Sequence, residues 1–440
     1  MNPLAVLLLL GIAGAVFFAR SRRGAALALL AGMLFLPQSI SISISGVNFF
    51  GMRLIEVVAA VRIVSRGELS FLKPTLIDKA LAFFFAYSTI VFVIRSNEGF
   101  AYQIGLALDG LLCFGAFRIF IPTIDDMRWL LRAFIWLLVP FTGLVLIESI
   151  TQQNPFAALG GIMYGADWMR NGRLRCQGSF QHCSLLGTLG ASFLSLYLGL
   201  VIGKIDRKTG IVGIILCIII VWASNSGAPL SCVATVAFCW MIWPVRQHIR
   251  LIRRALFVLA VLVMFVMKAP IYYFPAKVSS ITGGDGWHRS YLMEVSVRDL
   301  HKWWLAGMPL SETAEWFPYT NFGTGFADIT NQFVSVGLSS GLPAMLLFML
   351  LLIVAFVEVR KILKFAGTVH KREESGTQYI TWGLGSVLIM HISNWLGIIY
   401  FDQTYVIWYL HLAMVGSLSW QARVYPQSLE TNENYLVAGT

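Results

Sequence analysis

Three arginines, Arg170, Arg173 and Arg175, fall within six residues, and a fourth, Arg289, sits among apolar neighbours on a helical projection. Arginine keeps its proton and offers a planar fork of N–H donors that fits carboxylates and phosphates. Burying it calls for an anionic partner. The segment from Trp287 to Leu305 lacks Gly and Pro and has helical periodicity. At about 100° per residue, Leu292, Met293, Leu300, Trp303 and Trp304 share one face, while Glu294, Arg298 and Lys302 form an i,i+4 ladder opposite. The ladder reads as a solvated salt-bridge face. Arg289 lies inside the apolar face, so it either binds an anion or snorkels to a membrane surface beside the tryptophans. Groups able to move a proton accompany the arginines. Asp328 is a carboxylate near the end of the same polar stretch. Asp328, Thr330 and Asn331 are also all good N-caps for the apolar run that follows. His182 and His288 are further candidate bases.

These residues belong to the two long polar stretches of an otherwise apolar chain. Of 440 residues, 57% are hydrophobic and 12% charged, and apolar runs of about 17–25 residues recur from end to end, the length that spans a bilayer. The sequence predicts an all-α, polytopic integral membrane protein of one domain, residues 1–440, with about twelve or thirteen transmembrane helices. Continuous rather than alternating apolar runs exclude a β-barrel. The first run, 3–19, lacks a basic segment before it and is expected to stay as a span. Residues 24–44 and 46–64 form the least regular pair, because Pro37 and the alternating SISISISG run are able to break them into a shorter re-entrant element. The polar stretches are 151–183 and 271–331, the second holding the amphipathic helix.

Basic residues orient the chain. One alternating set of loops carries Arg20, Arg22 and Arg23, then Arg62 and Arg66, Arg118 and Arg128, Arg207 and Lys208, Arg250 and Arg253, and Arg360 and Lys361. By the positive-inside rule these face the cytoplasm, and 151–183 and 271–331 face outward. The net charge of +11 is explained by these loops and does not imply nucleic acid. Arg170, Arg173, Arg175 and Arg289 then run against the trend, which an anionic ligand at the outer membrane face explains. Arg53, Glu56, Asp109, Glu148, His391 and His411 lie within spans, where ionisable residues usually face the bundle interior. Arg53 and Glu56 are spaced to satisfy each other. Asp109 has no local partner, Glu148 sits at an interface, and His411 reads as a satisfied core histidine. Cys176 and Cys183 share an outer loop and are able to oxidise; no metal-ligand spacing appears.

Three stretches resemble the O-antigen ligase and O-antigen polymerase superfamily, which includes exopolysaccharide polymerases. They are LIESITQQNPF with RLRCQGSFQHCSLLG, the Ser-rich turn SNSGAPLS at Ser224 to Ser231, and WHRSYLMEVSVRDLHKWWLAGMPL running into GTGFADITNQFVSVGLSSGLPA. With NWLGIIYFDQTYVIWYLHLA near the end, the resemblance covers most of Pro140 to Trp420. It implies a GT-C-like glycosyltransferase of the bacterial inner (cytoplasmic) membrane, needing neither metal nor cofactor. The implied donor is a glycan on undecaprenyl diphosphate, and the acceptor a glycan or lipid. Arg173, Arg175 and Arg289 would hold the diphosphate, with Arg170, His182, His288 and Asn331 as secondary candidates and Asp328 and Arg289 as the catalytic pair. The chain departs from the pattern twice. Its Ser-rich turn has no arginine, and Asp328, Ile329 and Thr330 precede Asn331 where ligases carry a histidine. Polymerase and ligase both stand as readings. A flippase for lipid-linked oligosaccharide is the alternative, predicting cations through the whole membrane depth, and a structural subunit of a secretion complex is a third.

Overall fold

The computed structural model describes residues 2–37, 40–44, 47–95, 100–160, 168–267, 269–277, 286–317, 325–368 and 372–437. Without water to bond their amides, apolar segments satisfy their backbone internally as helices. In chain order these are α1 (Pro3–Phe18), α2 (Arg22–Phe35), α3 (Gly51–Ser65), α4 (Leu76–Arg95), α5 (Phe100–Phe120), α6 (Ile124–Thr151), α7 (Cys183–Ile202), α8 (Arg207–Ser224), α9 (Gly227–Ile242), α10 (Ile249–Val266), α11 (Gly286–Arg298), α12 (Leu300–Trp303), α13 (Gln332–Thr368), α14 (Arg372–Trp395) and α15 (Tyr405–Val437). Among the described residues, six helices are long and apolar enough to cross a membrane: α4, α5 from Tyr102, α6, α7, α8 and α13 to Ala366. The chain is an all-α, multi-pass membrane protein.

The bundle is centred on α7, whose side chains are almost all buried. Small residues let the neighbouring backbones approach, the packing that membrane helices use in place of a hydrophobic drive. A Cβ on Gly190 would stand 2.5 Å from the Cys217 carbonyl oxygen on α8. His182, one residue before α7, is thereby fixed at the centre of one end of the bundle.

The run 24–44 is not a single span. Helix α2 stops at Phe35, ahead of Pro37, and β1 (Ser41–Ile44) pairs antiparallel with β2 (Val47–Phe50), Ser41 opposite Phe50. The Ser/Ile alternation has the period of a strand, and it overrides the apolar length.

The predicted helix 287–305 is also interrupted, at Asp299, between α11 and α12. Asp299 is buried and accepts from Trp316 Nε1 at 3.0 Å, Arg298 at 3.2 Å and Lys302 at 3.3 Å. The i,i+4 ladder is therefore replaced. Arg298 and Lys302 converge on Asp299, and Glu294 accepts from the Tyr273 hydroxyl. Burial opposes the Asp299 charge, but these donors outweigh it and hold the carboxyl below its usual range. Leu292 and Trp303 are buried as expected, whereas Trp304 is exposed.

Leu292, Val295, Trp303, Met308, Trp316 and Phe317 form a second core that closes on Val334 and Leu338 in the first turns of α13. This cap grips α13 where that helix is broken, at Ser340 and Gly341. Met308 N–H donates to the Leu338 carbonyl (2.8 Å) and Leu342 N–H to the Trp304 carbonyl (2.7 Å), so the break does not orphan these groups. Gly341 has φ +85°, and a Cβ there would lie 2.3 Å from the Leu305 carbonyl oxygen. Gly341→Ala should destabilise the cap by more than about 1 kcal/mol, because a side chain is disfavoured at that φ and has no space. Hydrogen exchange is the check: faster exchange across 299–317 with α7 unchanged is expected, and unchanged exchange in the cap rejects the account.

Candidate functional site

The first arginine cluster is built on a clamp. Glu148, in the last turn of α6, is fully buried, and its two oxygens accept the Gln177 and Gly178 amides at 2.8 Å each. It holds the loop instead of lying at an interface. Ser179 Oγ bonds the Leu34 carbonyl (2.7 Å) and the Cys176 amide bonds the Ala223 carbonyl (3.1 Å), which tie the loop to α2 and α8. From that base rises a tight hairpin, β3 (Met169–Arg170) and β4 (Arg173–Leu174). Its turn residues, Asn171 and Gly172, have φ +51° and +72°, the geometry that an Asn-Gly pair supplies to a two-residue hairpin. Arg170 and Arg173 are thus opposite each other across the strands.

The Ser-rich turn docks on this hairpin. Asn225 Nδ2 donates to the carbonyls of Arg170 (2.9 Å) and Arg173 (3.2 Å), and Ser226 shares a 2.7 Å hydroxyl bond with Ser184. The Arg173 guanidinium lies 4.0 Å over the Trp222 ring. Arg170 Nη1 comes within 3.9 Å of where a Cβ on Gly227 would stand. The turn has no arginine of its own, yet Arg170 brings a guanidinium to it from the preceding loop.

Arg175 is half-buried, and its shielded Nε has no hydrogen-bond partner among the described residues. Its charge acts on His182, which caps α7 by accepting the Ser184 amide on Nδ1 (3.1 Å). Burial, with Arg175 adding, pushes the His182 pKa down to about 4, so the ring is neutral at physiological pH. With Nδ1 accepting, the ring proton is on Nε2. His182 therefore presents a donor beside Arg175 at a helix N-terminus, an arrangement suited to an anion and unsuited to a base. Cys176 and Cys183 are both buried free thiols.

The second group belongs to the cap. Arg289, on α11, is half-buried, with Nε 3.1 Å from where a Cβ on Gly397 would stand. His288 is buried, stacked on Phe317 at 4.3 Å, and its Nε2 donates to the Asp328 carbonyl at 3.2 Å. The Asp328 backbone is pinned there and its side chain is exposed. Asn331 is the N-cap of α13: its Oδ1 accepts the amides of Phe333 (3.0 Å) and Val334 (3.1 Å). Capping is thus not the role of Asp328.

Residues 396–404, between α14 and α15, join the two groups. Gly397 meets Arg289, and the Tyr400 amide donates to Gln332 Oε1 (3.1 Å), on the cap side. On the other side, Asp402 Oδ2 accepts the Gln181 amide (2.9 Å) and Gln403 Nε2 donates to the Ser179 carbonyl (2.9 Å). Behind this segment the Tyr400 hydroxyl bonds His391 Nδ1 (2.6 Å), and His391 Nε2 faces His411 Nδ1 (3.1 Å). His411 is thus partnered on one side, although its Nε2 is without a partner.

Deeper in the bundle, Arg53 pairs with Asp109 through two bonds of 2.5 and 2.7 Å, not with Glu56. Glu56 accepts from the Tyr405 hydroxyl at 2.9 Å. Sequence spacing could not show either long-range pair. One cation escaped notice altogether. Arg95 ends α4 at the cap end, where Nη2 donates to the Ser339 carbonyl (3.3 Å) while Nε and Nη1 are shielded and have no hydrogen-bond partner among the described residues. Its position just beyond an apolar run, on the side expected to be poor in cations, was the available signal.

These features define a helical membrane protein whose cap end gathers arginines, a neutral histidine donor and an exposed carboxylate. The chain matches no protein-family model and no curated protein. The cap assignment is checked by stability. Asn331→Ala should cost about 1 kcal/mol and Asn331→Asp almost nothing, while Asp328→Asn should leave the melting temperature unchanged. A melting temperature lowered as much by Asp328→Asn as by Asn331→Ala would restore Asp328 as a cap.

Proposed function

We propose that this protein is a glycosyltransferase of the bacterial inner membrane with about twelve or thirteen spans, acting on undecaprenyl-diphosphate-linked glycans at the outer membrane face. It joins them to a glycan or lipid acceptor, as O-antigen and exopolysaccharide polymerases and O-antigen ligases do, without metal or cofactor. The carrying observation is that Arg175 and Arg289, far apart in sequence, both come to residues 396–404: the loop of Arg175 is hydrogen-bonded to Asp402 and Gln403, and Arg289, on α11, lies against Gly397. A diphosphate is the ligand that two half-buried guanidinium groups would suit.

In the proposed step, the acceptor hydroxyl oxygen attacks the anomeric carbon. The carbon–oxygen bond to the diphosphate breaks, and undecaprenyl diphosphate leaves with the bonding electron pair. Arg173, Arg175 and Arg289 neutralise that leaving group, and stabilising charge as it develops contributes several kcal/mol in such sites, on the order of the 3–4 kcal/mol of one oxyanion donor. Arg170 and the His182 Nε2–H add donors. The hydroxyl proton goes to Asp328, since His182 is committed as a donor. The flippase reading is less well supported because it needs unpaired cations through the membrane depth, and Arg53, the buried cation there, is neutralised by Asp109.

Arg289→Lys and Arg289→Ala should both abolish polysaccharide at normal protein level, with lipid-linked precursor still present, because lysine lacks the bidentate fork. Asp328→Asn should give a folded, inactive protein. Full polymer from Arg289→Lys and Asp328→Asn together rejects the site. In a deletion strain, single repeat units on lipid indicate a lost polymerase, and full-length chains on lipid a lost ligase.

Orientation is tested by single cysteines. Ser311 is exposed on the cap and Lys208 is exposed at the opposite end, while the six native cysteines are buried. An impermeant thiol reagent on intact cells should label Ser311→Cys and not Lys208→Cys. The reverse pattern inverts the topology and ends the outer-face mechanism.

A further inference from the structure

At the end of the bundle opposite the cap lies a cavity of about 430 Å³, lined by Arg22, Phe71, Lys73, Arg118, Trp420 and Gln421 among others. Its volume is in the range of ligand sites. Its cations divide into two kinds. Arg118 is spent on the fold: it pairs with Asp78 (3.2 Å) and also donates to the Lys73 carbonyl (2.6 Å) and to Ser417 Oγ (2.8 Å). It forms a rigid floor whose charge Asp78 cancels. Arg22 and Lys73 are different. Arg22 stacks on the Phe71 ring at 3.5 Å and gives a single N–H to the Ile119 carbonyl (3.3 Å). The Lys73 side chain is exposed, and no described residue pairs with it. The neighbouring carboxylate Asp126 is taken by Arg23. Gln421 Oε1 accepts the Ile124 amide (3.1 Å), which leaves its N–H2 group for a ligand.

The cavity rim is apolar. Phe71 is 44% exposed and Val424 39%, around the half-buried Trp420. Exposed aliphatic and aromatic side chains beside stacked and free cations are the pattern of a membrane–water interface. A soluble phosphate would use the cations and have no use for the apolar rim. A phospholipid uses both, with its headgroup in the cavity and its chains along Phe71 and Val424. We propose that this cavity binds the phosphodiester headgroup of an anionic phospholipid in the leaflet opposite the cap. Basic pockets between membrane helices take such headgroups. The site is independent of the proposed glycan chemistry, and its test does not read activity.

The experiment uses the full chain, purified in detergent and stripped of lipid. Phosphatidylglycerol, phosphatidylcholine and inorganic phosphate are added separately, and bound lipid is counted by native mass spectrometry alongside thermal unfolding. Phosphatidylglycerol should be retained and should raise the melting temperature, whereas phosphatidylcholine and inorganic phosphate should do neither. Lys73→Gln should weaken phosphatidylglycerol binding about fivefold, and Arg22→Gln with Lys73→Gln more than twentyfold, on the order of one such factor per cation. Lys73→Gln removes no internal contact, so it stays informative should the double variant fail to fold. Three results overturn the proposal: retention unchanged by Lys73→Gln, equal retention of phosphatidylcholine, or stabilisation by inorganic phosphate matching that by phosphatidylglycerol.

Discussion

Asp402 is fully buried, and its carboxylate is satisfied by the Gln181 amide, the Thr404 amide at 2.8 Å and the Thr404 hydroxyl at 2.5 Å. Burial raises this carboxyl above its usual range, and the donors oppose the rise. A carboxylate buried without such donors costs far more than one hydrogen bond returns. The cap end is organised by that requirement. To keep Asp402 satisfied, the loop carrying Arg175 must stay against residues 396–404, and the Tyr400 amide holds Gln332 and the base of the cap to the same segment. The two arginine groups owe their relation to this internal polar segment, which the Arg175 loop and the base of the cap both bond.

Glu148 works in the same manner from the other side. Its bidentate grip on two consecutive amides leaves the chain at Gln177 and Gly178 a single course between α6 and α7. Both carboxylates accept backbone amides, and Asp402 also accepts the Thr404 hydroxyl. None of these bonds uses an arginine. A scaffold built of ion pairs would have neutralised the site it supports.

Much of this was legible in the sequence. Apolar length predicted an all-α, multi-pass chain, and the counter-trend arginines marked the cap end. Where the reading failed, a local pattern met a distant partner. Asp299 looked like one polar residue in a continuous helix, and a Trp316 indole from beyond the next turn ended that helix. Arg53 and Glu56 had the right spacing to pair, but Asp109 on α5 offers a bidentate geometry that a residue three positions away on one helix does not. At residues 41–50 the two levels of pattern conflicted, and the strand period prevailed over apolar length because Pro37 had already ended α2. Residues 396–404 carried no compositional signal: Asp402 and Gln403 look like ordinary loop residues until their partners, 221 and 224 positions away, are known.

The arginines separate into two populations by what satisfies them. Arg62, at the end opposite the cap, is fully buried and has its donors taken by the Val16, Phe17 and Ala19 carbonyls and by Glu68. It is a C-cap for α1 and a structural ion pair at once. Arg118 is consumed in the same way. At the cap end, Arg95 has two shielded nitrogens and Arg175 one without a hydrogen-bond partner among the described residues. A shielded donor left unmade costs about 1–3 kcal/mol, and more when it is charged. Arginines in that condition store an affinity for whatever anion completes them. At the cap end the neutral His182 ring adds a further donor beside Arg175. The anion site proposed there rests on these donors more than on the number of arginines.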